Sequence, residues 1–342
     1  MSARIGLDHY TIAHRGLSPR ETLAWARARR LDGVQFLEPL AIDASLDSAR
    51  LADLRAEADA LGLYLEVGLP SPSPVRRSRE RGGPVSPGEH ATYLARQVEA
   101  IATLGCGHAR AYVGDRHDRF RRDPPWTEQL RATRDTLQRL TPSLLDLGVK
   151  VAIETHADLT SGELLELLDT LHPDAFGVTL DTGNLAMRLD EPLRAVERLA
   201  PRVLCTHVKD CVVATSPRGL RWQARPVGAG ILPIASMIDR LLQANPALNL
   251  SIELHPRIYD LPWKEPGWLD HFPAESSRAL EGILDLARLT DSRMQAGLLE
   301  PMDLIESIPW AERDLPWIEH SAAYLRGVVE GRAIVRRVTK PD

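Results

Sequence analysis

Two rhythms of hydrophobic residues alternate along the chain. Short apolar or alternating runs at 4–10, 33–39, 63–68, 108–114, 150–156, 175–181, 202–210 and 248–255 predict eight β-strands. Between them, leucines and alanines recur at spacings of three and four over 19–31, 47–61, 88–104, 127–147, 161–171, 190–200, 234–244 and 275–289. That period predicts amphipathic helices. The punctuation agrees. Ser18-Pro19 offers a cap residue followed by proline at the first helical position, and Gly62, Gly105 and Gly148 stand just past helices. Eight βα units predict an α/β fold of the (β/α)8 TIM-barrel type. No GxGxxG follows the first strand, which counts against a doubly wound dinucleotide-binding sheet. The catalytic barrel is placed at 1–290. Residues 291–342 read as a helical extension, expected to pack on the barrel or on a partner subunit of a homo-oligomer.

Composition narrows the class. The 342 residues are 44% hydrophobic and 26% charged, ample for a large core, and the net charge of −5 argues against a general nucleic-acid or membrane-surface binder. No stretch approaches ~18 consecutive apolar residues, and the start "RIGLDHYTI" has no apolar signal region, so a cytoplasmic location is expected. Cys106, Cys205 and Cys211 show no CxxC spacing and read as reduced thiols, with Cys205 in the core.

The strand endings carry the chemistry. Alternate residues of a strand share a face. The fifth strand therefore aligns Ala152, Glu154 and His156, and the sixth Gly177, Thr179 and Asp181. The seventh aligns Cys205, His207 and Lys209, and the eighth Ser251, Glu253 and His255. Each face begins small and ends ionisable, and barrel enzymes keep their chemistry at the C-terminal mouth. Three carboxylates converging in a low-dielectric mouth repel one another unless a cation joins them. Glu154, Asp181, His207 and Glu253 thus form a candidate site for one divalent metal. The oxygen-rich set favours Mn²⁺ or Mg²⁺, while Co²⁺ and Zn²⁺ also fit.

The segments "IETH", "LDTGN", "THVKD", "RPVGAGILP" and "IELHP" resemble the xylose isomerase-like TIM barrels, over about residues 4–290. That group includes sugar isomerases, 3-epimerases, inosose dehydratases and related lyases. The resemblance implies that the same four residues ligate a single metal, that Glu154 and Glu253 form the proton-transferring pair, and that Arg225 reaches substrate oxygens. The chain departs at Asn184, where ketose 3-epimerases usually carry histidine. His156, Lys209 and His255, one inward step above the ligands, are expected with Asn184 to contact substrate or to orient the ligands.

Three rivals and several loops complete the picture. A strand-end lysine can form a Schiff base, but carboxylates beside Lys209 should keep it protonated. The resemblance extends to endonuclease IV-type enzymes, which assemble a three-metal site with additional histidines on the earlier strands; here the third strand instead ends in Glu66, and the fourth carries Arg110 and Tyr112. A non-catalytic sugar-binding barrel would leave a full ligand set idle. Two basic loops, 74–83 and 116–125, flank the expected mouth and can steer an anionic substrate. Gly228 and Gly230 mark either a tight turn or a phosphate-binding loop. The aromatic stretch 259–273 is expected to be a lid or a subunit contact. His9, Tyr10 and Glu38 are candidates for the near wall.

The expected function is a metal-dependent isomerase or epimerase of a small sugar, keto-sugar or sugar acid, acting through an enediolate-type intermediate. The alternative is a lyase of the same group, either a 3-oxo sugar acid decarboxylase or an inosose-type dehydratase. The expected partner is a small polyhydroxylated carbonyl compound, neutral or anionic, and neither nucleic acid nor membrane is expected.

Overall fold

The computed structural model describes residues 3–274 and 276–331. Seven parallel strands run in chain order: β1 (Ile5–Asp8), β2 (Gly33–Phe36), β3 (Tyr64–Gly68), β4 (His108–Ala111), β5 (Lys150–Glu154), β6 (Phe176–Asp181) and β7 (Val203–His207). Next in the chain come β8 (Asp210–Ser216) and β9 (Gly219–Arg225), then β10 (Leu250–Ile252) and β11 (Ile258–Leu261). The eighth barrel strand is β10, which pairs with β1. The seam between β7 and β10 is held by Val208 N donating to Ser251 O at 2.7 Å and Glu253 N donating to Val208 O at 3.2 Å. The result is a near-closed eight-stranded parallel barrel ringed by helices, with further helices at its C-terminal end.

Local sequence explains where the helices start and stop. Ser18 accepts from Glu21 N while the Glu21 carboxylate accepts from Ser18 N, so a capping box opens the helix Pro19–Ala28. Gly62, Gly105 and Gly148 take positive φ just past their helices. The barrel floor is unusually polar. The Tyr64 ring lies across it, and a Cβ on Gly33 would stand 2.1 Å from Tyr64 Cγ, so β2 needs glycine there. Tyr64 Oη and Ser251 Oγ share a hydrogen bond of 2.8 Å above it.

Several local expectations change. The strand expected over 202–210 ends at His207, and Asp210 opens the β8–β9 hairpin. The hairpin and β11 form a three-stranded antiparallel sheet. Asp210 sets this departure: its carboxylate accepts from the backbone N–H of Cys211, Gly228, Gly230 and Leu232 at 2.8–3.1 Å. The amides of Gly228 and Gly230 are thus engaged by the chain's own aspartate, and a tight turn accounts for both glycines.

The basic stretch 74–83 contains a helix, Pro74–Arg81, capped by Ser73 and stopped by Gly82. Within 259–273, the first residues form β11, while Trp268 and Phe272 pack with Leu189 and Leu280 on the same chain. The helix Ser276–Gln295 continues through position 290. The later helix Trp310–Val329 packs beside β1 and β10, with Trp310 Nε1 donating to Thr11 O at 3.1 Å and Arg15 gripping Asp314. The part of the expected helical tail beyond Gly331 lies outside the described residues. All three cysteines are buried and unbridged. No described helix is long and apolar enough to cross a membrane.

Candidate metal centre

Threonines beside the acidic positions fix the strand ends that carry them. Thr155, next to Glu154, accepts from Asp181 N at 2.8 Å and donates to Asp181 O at 3.1 Å. Thr182, next to Asp181, accepts from Lys209 N at 3.0 Å and donates to Lys209 O at 2.6 Å. Thr206, next to His207, accepts from Ser251 N at 3.2 Å and donates to Asn249 O at 2.9 Å. Each outward threonine ties one strand to the next, so the neighbouring inward side chains keep a common height. Sequence alternation alone aligns the faces; these bonds hold them in register.

The outcome is that Glu154, Asp181, His207 and Glu253 each offer one ligand atom, all within 4.8 Å of one another, and all four are buried. His207 Nδ1 stands 3.2 Å from Glu154 Oε1 and 3.3 Å from Glu253 Oε2. Its other nitrogen, Nε2, donates to Gln35 Oε1 and lies 3.2 Å from Asp8 Oδ2. That arrangement places a proton on Nε2 and leaves Nδ1 facing Glu154 and Glu253, where it would serve as a metal ligand. Gln35 is itself held, with Nε2 donating to Glu66 Oε2 at 2.9 Å. Three acidic groups and one imidazole around a common point fit a small divalent cation of the oxygen-preferring kind.

Fixed cations of the chain balance part of this charge. Arg110 reaches from β4 and places Nε and Nη2 at 2.6 Å from Glu154 Oε2. Burial alone would raise the Glu154 carboxyl, but Arg110, His207 and His156 hold it well below its ordinary range. Lys209 Nζ lies 2.8 Å from Asp181 Oδ2 and in contact with Glu253 Oε2. Burial opposes its charge, yet Asp181 and Glu253 hold the ammonium protonated well above its usual value. A protonated, doubly paired lysine is a poor Schiff-base nucleophile.

A cavity of about 530 Å³ reaches the cluster at Glu253. His156, Asn184, Lys209, Glu253 and His255 all line it. Asn184 also steadies a carboxylate, since Nδ2 donates to Asp181 Oδ2 at 2.7 Å and its backbone N donates to Oδ1 at 2.9 Å. His156 donates through Nδ1 to Gly114 O at 2.9 Å, leaving Nε2 as its acceptor. Burial lowers the pKa of both His156 and His255, the latter to about 4. Lys209 needs Gly183 beneath it: a Cβ there would sit 2.5 Å from Lys209 Cγ.

Arg225 is placed elsewhere. It ends β9, donates through Nη2 to Glu300 O at 2.8 Å and is not among the residues lining the cavity. Of the near-wall candidates, Tyr10 lines the cavity, whereas His9 packs on the Phe36 ring and Glu38 precedes a short helix.

Sequence reasoning assigned no site role to Asp8, Gln35, Arg110 and Arg257. The first three sit at inward positions of β1, β2 and β4, so the alternation rule that found the four acidic-cluster residues also pointed to them. Arg257 lies beyond β10 and follows no strand pattern. Of the arginines on the two basic segments, Arg76 and Arg116 face the cavity. The others are partly spent on the fold: Arg79 and Arg121 both pair with Asp118, and Arg119 pairs with Glu163.

Comparison with known proteins agrees with this architecture. The chain matches the xylose isomerase-like TIM barrel family over residues 23–272. It is 23% identical to the 3-oxo-isoapionate decarboxylase of Pectobacterium atrosepticum over 232 residues, 67% of this chain and 73% of that protein. A 97-residue match at 29% identity to the uncharacterized protein YihM of Escherichia coli K12 spans 28% of this chain and 30% of the relative. The solved structure of an L-ribulose 3-epimerase superposes with a TM-score of 0.59 at 17% identity, covering 99% of this chain and 100% of that one. With the barrel, its seam and the four clustered side chains in place, the chain belongs to the xylose isomerase-like TIM barrel family.

Proposed function

We propose that this metal-dependent, sugar-acting enzyme isomerises or epimerises a small sugar, keto-sugar or sugar acid through an enediolate-type intermediate. The observation that carries the proposal is the buried cluster of Glu154, Asp181, His207 and Glu253, which meets the cavity at Glu253. These residues would hold one divalent ion, Mn²⁺ or Mg²⁺ by the hardness of the donors, with Co²⁺ and Zn²⁺ as substitutes. When bound, such an ion supplies Lewis-acid polarisation of a carbonyl oxygen.

The chain's own residues do the rest. Glu253 lines the cavity and is the group best placed to take a proton from a substrate carbon. Glu154 is its counterpart across the cluster, with Oε2 held by Arg110 and Oε1 turned toward His207. Lys209, His156 and His255 present polar atoms to substrate hydroxyls. Arg225 would take part only by reorienting from Glu300. Arg76, Arg116 and Arg257 at the rim favour a substrate that carries negative charge.

The Arg110–Glu154 pair favours a second reading, a lyase that decarboxylates a 3-oxo sugar acid. Epimerisation needs a base and an acid on opposite faces of one carbon, and a carboxylate clamped by arginine is a weak base. Loss of CO₂ needs only one group to return a proton to the carbanion, a role the protonated Lys209 ammonium, which lines the cavity, can fill. The decarboxylase of Pectobacterium atrosepticum, similar over two thirds of this chain, lends the same support.

Incubation of the metal-loaded protein with ketoses and 3-oxo sugar acids in D₂O separates the two. Deuterium at carbon with the carbon skeleton intact supports the isomerase, and release of CO₂ supports the lyase. Neither outcome over a broad panel of both classes would sink both proposals.

A further inference from the structure

A second chamber of about 560 Å³ opens from the mouth and shares Arg116, His117, Met187 and Tyr259 with the cavity that reaches the acidic cluster. The two therefore adjoin across these four residues. The far chamber is walled by Phe120, Trp268 and Arg188 among others, and among the described residues Asp260 is the only acidic one lining it.

Arg188 is the unusual member. It is 3% exposed, and neither its Nε nor its Nη1 has a hydrogen-bond partner among the described residues. The contact it does make is a distant cation–π one, 5.8 Å from the Phe272 ring centroid. Other buried arginines of this region are satisfied: Arg110 by Glu154, and Arg119 by Glu163 and by Asp158 O. The acids electrostatically coupled to Arg188 are Asp158 and Glu163. The Asp158 oxygens accept from Gly114 N and Leu159 N, with burial pushing that carboxyl up to about 7, and Glu163 is held by Arg119 and Thr160 N. Asp260 is itself 58% exposed and lies 4.0 Å from Arg218. A guanidinium buried with open donors is strongly unfavourable unless an acceptor arrives. Its planar fork matches an oxyanion, and Arg116 on the shared wall adds a second positive charge.

We propose that Arg188, assisted by Arg116, forms a distal subsite for an oxyanion group, carboxylate or phosphate, at the end of the ligand remote from the acidic cluster. Phe120, Tyr259 and Trp268 then enclose the stretch between. The identification of that ligand as the substrate rests on the proposed function; the subsite itself does not.

The test is a calorimetric titration with inorganic phosphate, and separately with acetate, of wild type, Arg188→Gln and Glu253→Gln. Phosphate or acetate, whichever matches the group, is expected to bind wild type and Glu253→Gln alike and at least 10-fold more weakly to Arg188→Gln. A preference for phosphate or for acetate tells the two chemistries apart. Equal binding of both anions by wild type and Arg188→Gln, or none by wild type, overturns the subsite. So does loss of binding in Glu253→Gln, which places the anion at the acidic cluster. Because Glu253→Gln breaks the cluster, anion binding retained there stands even if the metal proposal fails. Should Arg188→Gln not fold, a phosphate-soaked crystal of wild type decides: the anion within hydrogen-bond distance of Nε or Nη1 supports the subsite, and its absence from them overturns it.

Discussion

Arg110 clamps Glu154 inside the barrel, with both Nε and Nη2 at 2.6 Å from the same carboxylate oxygen. Glu154 is fully buried and Arg110 nearly so. Breaking a buried ion pair by removing one partner costs about 3–5 kcal/mol, because the other charge is left uncompensated. Arg110→Met is therefore expected to lower unfolding free energy by an amount of that order, and to abolish turnover in the fraction that folds. Denaturant titration measures the first and steady-state kinetics the second. Near-wild-type stability and turnover in the variant would show that the pair carries neither.

Asn184 touches both oxygens of Asp181, through its side chain and its backbone N–H. Asn184→Ala keeps the backbone bond and loses the 2.7 Å side-chain bond. Loss of a group that orients a metal ligand typically weakens metal affinity about 10–100-fold. Competition with a fluorescent chelator should show a drop of that size in the variant, with folding intact by circular dichroism.

Gln35 bridges His207 Nε2 and Glu66 Oε2 across the barrel interior. Gln35→Leu takes one partner from each of two buried groups, while His207 Nε2 keeps Asp8 Oδ2 at 3.2 Å and Glu66 Oε2 keeps Ser251 Oγ at 3.4 Å. Each lost hydrogen bond costs about 0.5–1.5 kcal/mol. The variant is expected to unfold at lower urea than wild type and to bind metal more weakly. A variant as stable as wild type would remove the bridge from the account.

His108 Nε2 stands 3.4 Å from Glu66 Oε1, below the acidic cluster. Burial alone would lower its pKa, but contacts with Cys205 and Glu66 push it up to about 11 from an ordinary 6.5. A histidine that binds its proton more tightly in the folded chain stabilises the fold fully below the unfolded value. That stability is lost as pH rises through the folded value. The stability difference between wild type and His108→Gln should thus be greatest below about pH 6.5 and shrink as pH climbs toward 11. Urea titrations at several pH values measure it, and a pH-independent difference would contradict the linkage.

How much of this was legible in the sequence differs from element to element. The barrel and its four acidic-cluster residues were, because alternation on consecutive strands is a local rule, and Glu154, Asp181, His207 and Glu253 obey it together. The hairpin Asp210–Arg225 was not: "HVKDCVVAT" runs on as one β-rich stretch, and only Asp210 gathering amides from 228–232 shows where the chain leaves the barrel. The Ser-Pro-Arg-Gly turn at 216–219 was the available signal. Arg110 was visible as an inward residue, but its partner lies 44 residues away and is set by packing. The helix Pro74–Arg81 was hidden by its arginines, which look like a solvated loop until Ser73 and Gly82 are seen as its caps. Arg188 gives no sequence signal, since only burial without an acceptor distinguishes it from a surface arginine.

The central claim is that one divalent cation is held by Glu154, Asp181, His207 and Glu253. Elemental analysis of the purified protein, loaded with Mn²⁺ and then dialysed, tests it most directly. One ion per chain in wild type, and almost none in folded His207→Ala or Asp181→Asn, is the predicted result. A wild type that retains no metal, or variants that retain as much as wild type, would contradict it.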